Sequence, residues 1–306
     1  MRVFLTGGTG FVGSHILSTL VAQGHSVRAL ARERQPEGDT GSVEWVTGDV
    51  RDAATLKGHL DGIDAVINVV GIIEEHPSKG ITFDAVHFRA TVNLVDAARA
   101  AGVRRFVQMS ANGARAKGVS GYQTSKWRGE EAVRAAGFDH CVIFRPAIVF
   151  GDPGPRNPEF SKLLATTLVK PFPVLPVPGD GRYQLQPISV GEVATAFVKA
   201  LDLPEANGQS YCCAGLEKLS FDEILDRIAV AIALSPKPKV HQPLWLVRPA
   251  VRAATYAAKL PITSDQLEML VEGNTCDSSA FYRDFGVTYT PYTPENLGYL
   301  RRYVRA

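Results

Sequence analysis

Thr6-Gly7-Gly8-Thr9-Gly10-Phe11-Val12-Gly13 is the stretch whose reading decides the fold of this chain. It lies between a short apolar run, Arg2–Thr6, and a stretch, Phe11–Gln23, that carries Ile16, Leu17, Leu20 and Val21 on one helical face before Gly24. Glycines at 7, 10 and 13 permit a tight turn, close approach of backbone to a diphosphate, and packing of helix on strand. The free N–H groups and positive dipole end of the helix then face the anion. A glycine triplet alone is weak. Between a strand and a patterned helix it marks a dinucleotide-binding turn, with Gly7, Thr9, Gly10, Phe11, Val12 and Gly13 expected around the cofactor.

Outward from this loop, strand-like runs alternate with helical patterns. Strands are expected at Ser26–Leu30, Val43–Val46, Ala65–Val70, Arg105–Met109 and His140–Phe144, and helices at Thr82–Ala101 and Tyr122–Ala136. Such alternation implies right-handed crossovers and an α/β fold with a Rossmann-type, doubly wound parallel sheet. The pattern changes after Phe150. Gly151–Pro158 and Pro171–Gly181 read as loops, and helices are expected at Phe160–Leu168, Val190–Leu201, Phe221–Ala233, Leu244–Leu260 and Ser264–Glu272. The expected organisation is a dinucleotide-binding domain over 1–150 with a return segment at 183–202. A smaller substrate or partner lobe takes 151–182 and 203–306.

Composition narrows the function classes. In 306 residues, hydrophobic residues are 45% and charged residues 21%, which excludes a disordered chain. Lys+Arg at 33 against Asp+Glu at 31 leaves a net charge of +2, which argues against a general nucleic-acid binder. Charge tilts mildly basic from position 236 onward. Cys141, Cys212, Cys213 and Cys276 form no C-x-x-C pair, so free thiols in a reducing compartment are expected. The histidines show no metal-ligand spacing, and no metal is expected. No apolar run is long enough to span a bilayer, and the first residues already belong to the loop motif. A cytoplasmic location, at most peripheral to a membrane, is the expectation.

Cofactor choice rests on the second strand. NAD-binding versions carry an acid at its end for the ribose 2′-hydroxyl. Here the end reads Val27-Arg28-Ala29-Leu30-Ala31-Arg32, without an acid. Arg32, helped by Arg28 or Arg34, suits a 2′-phosphate, so NADP(H) is favoured over NAD(H). Asp49, after the third strand, is expected to accept from the adenine amino group. Val50 beside it and Val70 at the end of the fourth strand join the expected cofactor set.

Tyr122-Gln123-Thr124-Ser125-Lys126 places a tyrosine and a lysine one helical turn apart on one face. A lysine cation there is expected to stabilise phenolate and lower the tyrosine pKa, making Tyr122 a general acid/base, while Lys126 also holds the nicotinamide ribose.

With these two motifs the chain resembles the short-chain dehydrogenase/reductase superfamily in its extended, epimerase/dehydratase-like form, along its whole length. Phe144-Arg145-Pro146-Ala147-Ile148-Val149-Phe150-Gly151 resembles the group's segment that passes the nicotinamide, which adds Pro146 to the cofactor set. Pro187–Ala194 resembles its later strand-to-helix segment. Trp245–Ala258 and Leu260–Leu270 are most similar to the C-terminal portion of the nucleotide-binding accessory subunit of respiratory complex I and its free-standing bacterial relatives. Two positions depart from the pattern. Where sugar-nucleotide epimerases carry a catalytic serine this chain has Ala111, leaving Ser110 or Asn112 as substitute donor. His87 stands where the active-site asparagine is usual.

The resemblance implies an NAD(P)-dependent reductase or isomerase acting on a small carbonyl or hydroxyl substrate, with Tyr122, Lys126 and Ser110 catalytic. It leaves two alternatives: a catalytically idle cofactor-binding scaffold within a protein complex or at a membrane surface, and a sugar-nucleotide epimerase with bound NAD. Further candidates are Glu75 and His76 near the expected substrate mouth, and Arg182 where related enzymes bind sugar-nucleotide phosphates. The apolar face of Trp245, Val247, Val251 and Tyr256 completes them.

Overall fold

The computed structural model describes residues 1–32, 43–257 and 262–304. Arg34 lies outside them, as does the expected end of the helix running to Leu260. The chain divides into two compact units, the first comprising 1–146, 191–213 and 278–288, and the second 147–190, 214–277 and 289–306.

The first unit is built on β1 (Arg2–Thr6), α1 (Phe11–Ala22), β2 (Ser26–Ala31), β3 (Val43–Thr47), β4 (Ala65–Asn68), α2 (Ala90–Ala100), β5 (Arg105–Met109), α3 (Gly121–Ala135) and β6 (His140–Pro146). The strands form one seven-stranded sheet in the order β3-β2-β1-β4-β5-β6 followed by Ser210–Cys213. Every pairing in it is parallel. The order reverses between β1 and β4, which opens the crevice where doubly wound sheets bind ligands. The expected α/β Rossmann-type sheet is therefore the observed one.

Three details differ from the sequence reading. The strand Ser210–Cys213 extends the sheet beside β6, so 203–213 belongs with the first unit rather than with the smaller lobe, as does 278–288. Conversely, 147–150 and 183–190 fall in the second unit, because Val149–Phe150 pairs with Ile188–Ser189 rather than with the main sheet. The helix expected over Thr82–Ala101 opens with a π-helical turn, Asp84–Arg89, before α2. The expected free thiols are found at Cys141 and Cys213 but not at Cys212 or Cys276.

The sheet is apolar on both faces, as a covered parallel sheet must be. Phe4, Val66 and Phe106 pack with Leu94, Val95, Ala98 and Val133 on one side. On the other, Phe144 lies 4.5 Å from Phe197 and 5.2 Å from Phe285 between ring centroids.

Glu130 is the most deeply buried charged side chain among the described residues. Glu130 of α3 accepts from Arg145 Nε at 2.8 Å and Nη2 at 2.6 Å, and from Arg134 Nη2 at 2.8 Å. The Arg145 of the Arg-Pro segment is thus engaged in tying β6 to α3, and its pKa is raised, chiefly by the hydrogen bonds to Glu130.

The second unit has its own core, with Phe150, Leu175, Phe221, Ile224, Ile228 and Tyr292 at its centre. Its strands come in pairs: Val149–Phe150 with Ile188–Ser189, Gln184–Leu185 with Leu219–Ser220, and Leu175–Pro178 with Lys239–Gln242. The third pair takes a strand from within the expected Pro171–Gly181 loop. In the helix Leu244–Ala257, Val251 is buried but Trp245 is 72% exposed, so the expected apolar face splits between core and surface. Among the described residues no helix is long and apolar enough to cross a membrane.

Removing one partner of a buried ion pair leaves the other charge under-compensated. Arg145→Met should therefore lower unfolding stability by about 3 kcal/mol in urea denaturation, since Arg134 alone remains for Glu130. A denaturation midpoint equal to the parent's would contradict this.

Candidate functional site

The loop between β1 and α1 is closed by contacts that only glycine permits. Gly7 has φ +78°, and a Cβ there would stand 3.0 Å from the backbone of Val69 and Val70. A Cβ on Gly13 would lie 2.0 Å from the Gly7 carbonyl oxygen. Gly10 N–H donates to that same oxygen at 3.0 Å and caps α1 with extended backbone. No side chain caps the helix and no acid occupies its first turn. The N–H groups of Phe11, Val12 and Gly13 thus begin a helix with positive potential and no competing carboxylate, an arrangement suited to a diphosphate.

Beneath the loop runs a polar network that the sequence reading did not find. Thr6 Oγ1 donates to Asn68 Oδ1 at 2.7 Å, and Asn68 Nδ2 donates to Gln108 Oε1 at 2.9 Å. Gln108 Nε2 in turn donates to the Met109 carbonyl at 2.9 Å, and Val70 N donates to Asn68 Oδ1 at 3.3 Å. All three side chains are buried. They join the carboxyl ends of β1, β4 and β5 and fix the backbone leading to Val70. The signal available in sequence was a polar residue closing the otherwise apolar Ala65-Val66-Ile67-Asn68.

At the end of β2, Arg32 is exposed and makes no hydrogen bond among the described residues. Arg28 does not join it. Its guanidinium is engaged by Glu44 at 2.8 Å and the His59 carbonyl at 2.8 Å. Asp49 is also engaged: Arg51 Nε reaches its two oxygens at 3.1 and 3.0 Å, and Arg51 Nη2 donates at 2.6 Å. Burial raises the Asp49 carboxyl, but hydrogen bonds from Arg51 and the attraction of Arg51 and Arg32 outweigh it and hold the pKa below the usual value. Arg51, which the sequence reading missed, makes this corner a cationic cluster. Val50 is buried and Val70 half-buried.

Tyr122 and Lys126 lie on the first turns of α3, whose N-cap Ser120 accepts from Gln123 N. The Lys126 ammonium stands 5.9 Å from the centre of the Tyr122 ring and 3.4 Å from the Met109 carbonyl. Their electrostatics differ from the sequence reading. Burial pushes the Tyr122 phenol up to about 12, and it pushes Lys126 down to about 8 against the attraction of Glu130. Desolvation, rather than the lysine charge, sets the phenol.

His87, buried beside them, accepts from Ile72 N at Nε2, 3.0 Å away, and faces Ser125 Oγ with Nδ1 at 2.9 Å. Ser110 is buried, and its Oγ has no hydrogen-bond partner among the described residues. Ala111 is buried too, while Asn112 N donates to the Pro146 carbonyl at 2.8 Å. That bond holds the segment after β5 against Pro146. Of the outlying candidates, the Glu75 carboxylate accepts from Phe83 N at 2.6 Å, and His76 is exposed in a short bridge with Ile81. Arg182, in the second unit, is exposed after an Asp180 turn.

Comparison with known proteins gives the same picture. A model of the NAD dependent epimerase/dehydratase family matches residues 3–214. NADH dehydrogenase (ubiquinone) 1 alpha subcomplex subunit 9, mitochondrial, of Dictyostelium discoideum is 25% identical over 72% of this chain and 61% of its own. The ceramide reductase of Caulobacter vibrioides is 36% identical over 57% of this chain and 53% of its own. The chain thus spans little more than half the length of these curated relatives. Among solved structures, UDP-glucuronic acid 4-epimerase from Bacillus cereus in complex with NAD superposes with a TM-score of 0.75 at 17% identity, covering 100% of this chain and 97% of the other.

Gly13→Ala tests the loop. With a Cβ 2.0 Å from Gly7 O, binding of reduced nucleotide, followed by fluorescence titration, should weaken by about a hundredfold, since the backbone must move away from the diphosphate. Retained parental affinity would show that the loop does not grip the cofactor.

Proposed function

The chain belongs to the NAD dependent epimerase/dehydratase family, and from that premise we propose that it is an NADP(H)-dependent reductase of an apolar carbonyl compound. The observation that carries the reading is the state of the pair on α3, a half-buried phenol held in its protonated form beside a lysine. A phenol that keeps its proton at neutral pH is suited to donate it to a carbonyl oxygen that gains negative charge. A bound nicotinamide supplies the hydride.

On this reading Gly7, Thr9, Gly10, Phe11, Val12 and Gly13 hold the diphosphate. Arg32 and the neighbouring Arg51 face a 2′-phosphate, which a guanidinium fork fits. That Ala31 and Arg32, rather than an acid, close β2 supports NADP(H), while the NAD of the solved epimerase marks the alternative. Val50, Val70 and Pro146 line the cofactor. Lys126 holds the ribose and, while charged, supports the departing phenol proton. Asp49, clamped by Arg51, orients that guanidinium rather than receiving the adenine amino group.

The apolar character of the substrate rests on the two loops that border Tyr122. Ile73 is 51% and Val119 47% exposed. Ile73 follows Ile72, which is bonded to His87, and Val119 is bonded through its N–H to Gln123. The Caulobacter relative named for ceramide fits an apolar substrate. Ala111, in place of a serine hydroxyl, weighs against the epimerase reading. A second reading, a cofactor-binding scaffold without turnover, is favoured by the same Ala111 and by the likeness to a respiratory-complex subunit. It would bring a protein-complex partner, at a membrane periphery.

Three measurements test the proposal. Tyr122→Phe should lower carbonyl reduction by about 10²–10⁴-fold with nucleotide affinity unchanged. Unchanged function in a variant that still binds nucleotide would leave the scaffold reading. The pH dependence has a definite sign: reduction needs Lys126 charged, so kcat/KM should fall as pH rises through about 8, and a flat profile to pH 10 would contradict it. Arg32→Ala should weaken NADPH by about tenfold or more, the loss of one charge-assisted contact, and leave NADH unaffected. Equal effects on both nucleotides would remove the case for NADP(H).

A further inference from the structure

His87 sits on the π-helical turn Asp84–Arg89 at the start of the helical stretch that continues as α2, facing α3. Its two ring nitrogens have separate partners, and those partners settle the tautomer. Ile72 N–H can only donate, so Nε2, 3.0 Å away, accepts and carries no proton. A neutral ring then carries its proton on Nδ1, which faces Ser125 Oγ at 2.9 Å. The single hydroxyl proton of Ser125 goes to the Tyr122 carbonyl at 2.8 Å, leaving the oxygen free to accept from Nδ1. Every donor and acceptor in this chain is matched in one direction only.

The surroundings hold the ring in place. It stacks on Phe83 at 5.5 Å with 18° between planes and meets the Tyr122 ring edge-on at 5.2 Å and 89°. Thr91 Oγ1 donates to the His87 carbonyl at 2.8 Å. Gly129 brings α3 close: a Cβ there would lie 2.6 Å from the same carbonyl oxygen. On the other side of the ring, a Cβ on Gly71 would be 3.0 Å from Lys126 Nζ and 3.6 Å from His87 Nε2.

We propose that His87 is the positioning residue of this site, a neutral Nδ1–H imidazole that clamps the loop after β4 to the first turn of α3 and so sets Tyr122 and Lys126 against that loop. The inference rests on the reading of Tyr122 as proton donor for its catalytic consequence, and on geometry alone for the clamp. His87 moves no proton in the reaction. A proton on Nε2 would point at the Ile72 N–H and open the clamp. The charged and titratable groups facing the ring are Lys126 and Tyr122 of α3. Glu75 is turned to Phe83 N, and Asp84 to Arg89 and Arg128. Burial and then the Lys126 charge hold the imidazole pKa well below its ordinary value.

The test begins on the unaltered chain. Nitrogen-15 NMR of the imidazole should show a protonated Nδ1 and a bare Nε2, unchanged from about pH 8 to about pH 6, below the ordinary histidine pKa. An Nε2–H tautomer, or titration near the ordinary value, overturns the clamp. His87→Leu should accelerate exchange of the Ile72 amide and lower kcat by about ten- to a hundredfold. His87→Gln, whose amide oxygen can still accept from Ile72 N–H, should restore most of both. If His87→Leu leaves amide exchange and kcat as they were, the proposal fails. If no carbonyl compound is turned over, the reductase reading fails, while the tautomer and exchange measurements still decide the clamp.

Discussion

The carbonyl oxygen of Gly7 stands where almost nothing else fits. It receives the Gly10 N–H at 3.0 Å, and it lies 2.0 Å from the place a Cβ at position 13 would occupy. The first residue of the turn, the cap of α1 and the third residue of α1 are therefore drawn onto one atom. The rest follows from that convergence. The helix must start at Phe11, its first N–H groups must face the crevice at the carboxyl ends of β1 and β4, and Gly7 must press against Val69 and Val70. On the proposed reading the grip on the diphosphate is a consequence of backbone packing, with side chains entering at the two ends of the dinucleotide.

Those ends are organised differently. The end near β2 is open and cationic: Arg32 is exposed, and Arg51 is held in place by Asp49. At the end near α3, two chains of polar groups are matched within themselves, while the buried Ser110 Oγ stands apart from both. Thr6, Asn68 and Gln108 form one buried chain, and His87, Ser125 and the Tyr122 carbonyl form another. Buried polar networks that are fully satisfied specify a single arrangement, because any shift leaves a desolvated donor or acceptor alone. Such rigidity suits a site where a proton donor must stay in register with its neighbours.

What the sequence reading recovered, and what it did not, follows the range of the interactions. The glycine loop, β1–β6 and the Tyr122–Lys126 pair depend on spacing within a few residues, and each stands where it was expected. The strand Ser210–Cys213 was missed because four residues, Ser-Tyr-Cys-Cys, carry no period, and only its pairing with β6 makes it a strand. Arg28 was misassigned because its partner Glu44 lies on the next strand, sixteen residues away. The clamp at His87 joins positions 72, 87 and 125 through a π-helical turn, and no local pattern predicts a turn of that kind. The spacing of Tyr122 and Lys126 makes them neighbours but carries no measure of burial, and burial decides their ionisation.

That last point bears on the direction of the chemistry. A tyrosine with pKa near 12 and a lysine near 8 prefer to be neutral together, since each charge is penalised by the same desolvation. Glu130, one turn beyond Lys126, opposes this only in part, because its carboxylate is already shared between Arg145 and Arg134. Because about 8 still lies above neutral pH, the pair stands there as phenol plus ammonium, with a proton ready on oxygen and a cation able to support its loss. An enzyme working as an oxidant would need the phenolate instead and would have to lower a pKa that this pocket raises. On the proposed reading, burial alone tilts the site toward reduction, and Lys126 sets the alkaline limit of the range in which it operates.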